Sequence, residues 1–454
     1  MKTTIHRLVT DWLMAASLLF GSHKLLLGFS FVGAITLMPV VSQAQQPSAP
    51  VSKRGPVPFE EYLRATAVPR DVIDRFLSGP AWAQFDPEVG YILSNYLPAD
   101  GMDGSSTLST VQPNGARTSF LYAGRKCRIN TYGDSFTQCH QVSDGETWQE
   151  YLAAHLGEPI SNFGMGGFGV YQAYRRMLRE ERGKDGAEYV ILYIWGDDHI
   201  RSLLRCRHAI TLKFWDHGGG SKFHGNFWAH LEMDLATGRI VEKENLLPTR
   251  ESLYHMTDSQ WMVDHLKDDL ALHLYAFARG LVSDLDKERT SRLASLLDCP
   301  VDWNEKRTLP GQASQLLDKY SLRATRYILE KAGEFARREK KKLLVILFDP
   351  GCVMSNLVAG KPRYDQEIVD YLKGSQMPFF DMNEVHVRDF QQYRIPFSDY
   401  RKQYFIGHYN PRGNHFFAFS IKDTIVKWLD PKPITYQKRA PETLDFSGYL
   451  GPNR

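Results

Sequence analysis

Three short segments carry residue types that together could make an acyl-transfer centre. Tyr132-Gly133-Asp134-Ser135-Phe136-Thr137 follows a strand-like run and precedes a helix-like one, so Ser135 is expected at the carboxyl end of a strand, the edge where open α/β sheets bind ligands. A serine in such a turn also lies beside backbone N–H groups able to hold an oxyanion. The same segment also reads as an Asp/Ser-capped turn without chemistry. Asn162-Phe163-Gly164-Met165-Gly166-Gly167 follows the next short strand and adds an amide and further N–H groups at that edge. His408-Tyr409-Asn410-Pro411-Arg412-Gly413-Asn414-His415 precedes the last helix-like run, which makes His408 the candidate general base for Ser135 and His415, inside that helix, its rival.

Taken together, these segments resemble the SGNH (GDSL-type) hydrolases over roughly residues 127–199 and 342–429. The resemblance implies Ser135 as nucleophile and one oxyanion donor through its own N–H, Gly167 as a second N–H donor, and His408 as base, with Asp134 orienting the turn. Two blocks depart from the family pattern. Where the family has Gly-x-Asn-Asp, this chain has Gly196-Asp197-Asp198-His199, so Asp198 stands in the place of an oxyanion-donating Asn. An ionised carboxylate cannot donate there. The family's triad acid lies two or three residues before the histidine, where Ile406 and Phe405 stand; Asp399, nine positions upstream, is the nearest carboxylate, and a Ser-His dyad held by a backbone carbonyl is the alternative.

Other signals read more plainly. Gly164-Met165-Gly166-Gly167-Phe168-Gly169 fits the dinucleotide fingerprint, but its strand is very short and no acidic residue clearly ends a second strand about 20 residues on. His208, His217, His224 and His230 with Asp216 lack ligand spacing and suit a solvated loop better than a metal centre. Trp195, Trp215, Phe223, Phe227, Trp228 and Trp261 suit a core, with stacking on sugar rings as the other use. Cys127, Cys139, Cys206, Cys299 and Cys352 form no CxxC pair; Cys127 and Cys139 are read as small buried residues rather than a disulfide. No metal or organic cofactor is implied.

The elements that must position this chemistry alternate strand and helix from Lys126: CRINTYG, a helix, PISNF, VYQAYRRMLREE, AEYVILYIW, then RYILEKAGEFARREK, LLVILFD, a helix near Gln366–Leu372, MPFFDM and a helix from about Pro411 to Leu429. This rhythm predicts an α/β fold with a central parallel sheet between helical layers, which under the resemblance is a flavodoxin-like three-layer sandwich. Ser143-Asp144-Gly145-Glu146 has capping-box spacing before the stripe Trp148, Leu152, His155 and Leu156, and Gly157 is the stop. The core is expected over residues 126–200 and 323–430, an N-terminal extension over 45–125, an insertion over 201–322, with a Gly-rich turn (HGGGSKF) and a hairpin (MDLATGRIVEK), and a Pro-containing tail over 431–454.

The chain has 454 residues, 43% of them hydrophobic and 24% charged, an ordinary globular inventory. Lys plus Arg at 55 against Asp plus Glu at 52 leaves +3, which argues against a nucleic-acid partner. Lys2, Arg7 and Lys24 precede the uncharged run Leu25 to Val41 and then Ser42-Gln43-Ala44, the pattern of a cleaved export signal over residues 1–44. The expected protein is therefore periplasmic or secreted, and touches a membrane only through an uncleaved signal. The expected activity is hydrolysis of an ester, such as an acyl group on a carbohydrate, through an acyl-enzyme. The alternatives are a polysaccharide O-acetyltransferase and a non-catalytic carbohydrate-binding protein of the same fold.

Overall fold

The structure, a computed structural model, describes residues 55–79, 81–211 and 226–437. The expected export signal, the Gly-rich turn, Trp215, Asp216, His217, Phe223, His224 and the end of the tail lie outside the described residues.

Five parallel strands form the central sheet: β1 (Ile129–Tyr132), β2 (Ile160–Asn162), β3 (Tyr189–Trp195), β4 (Lys342–Phe348) and β5 (Phe379–Asp381), in the order β2-β1-β3-β4-β5. The register pairs Ile129 with both Ile160 and Tyr189, Tyr189 with Lys342, and Val345 with Phe379. Strand β3 is apolar along its length because both of its faces are covered. Tyr189, Ile191 and Tyr193 enter one hydrophobic core, whereas Val190, Leu192 and Ile194 enter the other. Each fully buried aliphatic side chain here contributes about 1.5–3 kcal/mol.

One core is closed by α2 (Trp148–Leu156) and α8 (Pro411–Trp428), the other by α3 (Val170–Glu181) and α4 (Leu309–Arg338). The Ser143–Glu146 capping box closes a 3-10 turn, and Thr147 then caps α2 by accepting from the Glu150 N–H, so the helix starts a few residues later than the spacing predicts. Trp148, Leu152 and Leu156 face the core, and Gly157 ends the helix in the left-handed region. The helix expected from Arg326 begins at Leu309, because Pro310 fits the first turn, where its missing N–H costs nothing. The expected boundary between residues 322 and 323 therefore falls inside one continuous helix.

The expected hairpin is present as His230–Asp234 paired with Arg239–Lys243. His230 and His208 are buried rather than solvated, as are Phe227 and Trp228. Cys127 and Cys139 are free thiols, Cys139 buried and Cys127 partly so. Among the described residues no helix is long and apolar enough to cross a membrane.

Candidate active site

Ser135 is the first residue of the short helix α1 (Ser135–Gln138), directly after β1. Asp134 caps that helix: one carboxyl oxygen accepts from the Phe136 N–H at 2.9 Å and the other lies 3.2 Å from Ser135 Oγ. Burial pushes the Asp134 carboxyl up to about 6, with Arg201 opposing the rise. At the first position of a helix the Ser135 N–H has no intrahelical acceptor, so it stays available beside Oγ.

His408 arrives from a tight loop between α7 (Phe397–Tyr404) and α8. Phe405 and Tyr409 bridge antiparallel, the Ile406 N–H donates to His408 O at 2.9 Å, and Asn410 caps α8 by accepting from the Gly413 N–H. This geometry places His408 Nε2 2.8 Å from Ser135 Oγ. The Phe136 ring packs beside the imidazole, with centroids 5.1 Å apart.

Nδ1 of His408 is held by a residue that no triad pattern marks. Gln141 Oε1 accepts from both the His408 backbone N–H and Nδ1, each at 2.9 Å, while its Nε2 donates to Asp100 O at 2.9 Å. The backbone N–H is an obligatory donor, which assigns the oxygen of the Gln141 amide to the histidine side. Nδ1 therefore carries the proton, and Nε2 is the bare nitrogen facing the serine hydroxyl. Burial pushes the His408 pKa well below the usual histidine value; His140 and Arg201 add to this and Asp100 opposes it. The imidazole is thus neutral near pH 7, as a base must be.

Gly407 explains why Gln141 can come so close. Its φ is +121°, and a Cβ there would sit 2.7 Å from Gln141 Oε1. Gln141 is itself in the left-handed region, with φ +71°. A glycine before the histidine and a Cys139-His140-Gln141 run just past the serine helix were the available signals in the sequence.

The remaining expected residues fall as follows. Gly167 follows β2 at the same sheet edge, with φ +85° and its N–H without a hydrogen-bond partner among the described residues. A Cβ there would collide with the Arg207 guanidinium, and would stand 2.7 Å from the Tyr91 hydroxyl. Asp198 does not act as a donor. It is buried, and its two oxygens accept from the Trp195 N–H at 3.0 Å and from Arg201 Nη1 at 2.9 Å. Arg201 also pairs with Asp197. Burial pushes the Asp198 carboxyl well up, reinforced by Asp134 and opposed by Arg201. Both Asp198 oxygens are thus engaged within the fold, by the Trp195 N–H and by Arg201.

Asp399 is exposed on α7 and pairs with Lys402 at 2.8 Å; it does not hold His408, whose Nδ1 is taken by Gln141. His415 is exposed on α8 and packs edge-on against Tyr151, with centroids 5.2 Å apart. The Ser135 contact therefore belongs to His408.

No family model matches the chain, and no curated protein matches it.

Proposed function

We propose that this chain is an exported SGNH-type serine hydrolase that cleaves an ester, an acyl group on a carbohydrate being the substrate class. One observation carries the reading: the hydrogen-bonded series Ser135 Oγ, His408 Nε2, His408 Nδ1, Gln141 Oε1 at the carboxyl edge of a parallel sheet. Nucleophile, base and orienting group are each within hydrogen-bond reach of the next. The strand order is that of a flavodoxin-like sheet, and Ser135 follows its first strand, next to the switch point, which supports the three-layer sandwich.

In this reading the Ser135 Oγ–H proton passes to His408 Nε2 as Oγ bonds to the acyl carbon, and the carbonyl electron pair moves onto oxygen. The N–H groups of Ser135 and Gly167 hold that oxyanion. Collapse expels the alcohol, which takes the proton from His408, and water then repeats the sequence on the acyl-enzyme. The export signal would put this chemistry in the periplasm or outside the cell.

Acylated sugars and short p-nitrophenyl esters, assayed with wild type and Ser135→Ala, test the proposal. Turnover by wild type alone is expected. Equal turnover by both proteins would remove Ser135 from the reaction, and acyl transfer outrunning hydrolysis on addition of a glycan would convert the assignment to an acyltransferase.

A further inference from the structure

A serine triad normally places a carboxylate behind the histidine, where it both orients the ring and balances the charge of the imidazolium. Gln141 performs the first task and cannot perform the second, because its amide is neutral. A carboxylate lies close by in another arrangement. Asp100 Oδ2 is 2.9 Å from His140 Nε2, and the His140 ring stands 5.0 Å, centroid to centroid, from the His408 ring. The backbone ties the same parts together: the Asp100 carbonyl accepts from Gln141 Nε2, and the His140 N–H donates to Ser135 O at 2.9 Å. The Trp82 ring packs edge-on against His140, with centroids 5.6 Å apart. His140 and Asp100 are each partly buried, so solvent screening between them and His408 is reduced.

Resting on the reading of Ser135 and His408 as the reacting pair, we infer that Asp100 and His140 form a positioning and charge-balancing unit for His408, supplying beside the ring the negative charge that Gln141 lacks. As His408 takes the serine proton, the Asp100 carboxylate, held in place by His140 Nε2, favours the new cation, while His140 itself opposes it. The other charged groups around His408 are Arg201, which opposes its protonation, and Asp134, which reaches it only through Ser135 Oγ. Arg201 itself pairs with Asp197 and Asp198, and Asp100 is the carboxylate that favours the His408 imidazolium.

Asp100→Asn tests this, because it removes the charge and keeps the backbone carbonyl that fixes Gln141. On a p-nitrophenyl ester the variant is expected to lose about tenfold or more in kcat with little change in KM. The acid limb of its kcat/KM profile should move to lower pH, since the imidazolium has lost a stabilising charge. His140→Gln should reproduce the loss of kcat, and Asp100→Glu should recover part of it. An Asp100→Asn variant with wild-type kcat and an unmoved acid limb overturns the inference, as does a change confined to KM. Fluorophosphonate labelling separates the two layers. A wild type that forms no Ser135 adduct sinks the Ser135–His408 reading itself, whereas equal labelling rates for wild type and Asp100→Asn between about pH 5 and 8 sink only the role of the pair.

Discussion

Replacing Gln141 by alanine removes the one side chain that holds His408 at two points. Its Oε1 accepts from the backbone N–H and from Nδ1, both at 2.9 Å, and alanine leaves both donors without that acceptor. A buried donor stripped of its partner costs about 1–3 kcal/mol. His408 is only partly buried and water can replace some of the loss, so the low end applies, about 1 kcal/mol per bond and about 2–3 kcal/mol once the ring can turn or change tautomer. If that cost falls on the transition state, kcat/KM drops by about 30- to 150-fold. Gln141→Glu keeps the acceptor and adds a charge, so it should retain much more activity and move the acid limb of the pH profile upward. The assay is steady-state hydrolysis of a p-nitrophenyl ester across pH for wild type and both variants. A Gln141→Ala enzyme within about threefold of wild type would refute the claim that this amide orients the base.

Gly407→Ala forces a Cβ to 2.7 Å from Gln141 Oε1 at φ +121°, and the strain of about 1–3 kcal/mol should appear as lower kcat/KM and slower Ser135 labelling. Asp399→Ala should leave kcat/KM unchanged and thermal stability within about 0.5 kcal/mol, because its pairing with Lys402 is solvent-exposed; a large loss of activity would return Asp399 to the site. His386, fully buried between the Tyr400 and Tyr409 hydroxyls, has its pKa lowered to about 3 by burial. Its unfolded value near 6.5 lies above the folded one, so the unfolded chain takes up the proton first as pH falls; the neutral buried ring contributes fully above about pH 6.5 and progressively less below it. In urea unfolding the stability gap between wild type and His386→Phe should therefore narrow by about 2 kcal/mol from pH 7 to pH 5, and a gap that does not change would contradict the buried neutral state.

Ser135 and His408 were legible in the sequence because each sits where a strand or loop meets a helix, and such junctions leave local signals: a short polar turn, an Asn cap, a proline at the first helical position. The sheet was legible for a similar reason, since strands covered on both faces read as unbroken apolar runs. Gln141 was not, because an amide is not the residue type sought behind a catalytic histidine, and the charge of Asp399 made it the candidate instead. Asp100 lies in the N-terminal extension, 40 residues before His140, and nothing local records that pairing. Asp198 shows the opposite failure. Its position matches a pattern, but the buried arginine three residues later takes its carboxylate. The long helix α4 begins well before its expected start at Arg326, because Pro310 is a helix-starting residue rather than a breaker in the first turn.

Intact-mass analysis after treatment with a fluorophosphonate tests whether His408 activates Ser135 as a nucleophile, as proposed. A single adduct is expected on wild type, mapped to Ser135, formed far more slowly in His408→Ala and absent from Ser135→Ala. An unlabelled wild type that still turns over esters would contradict it.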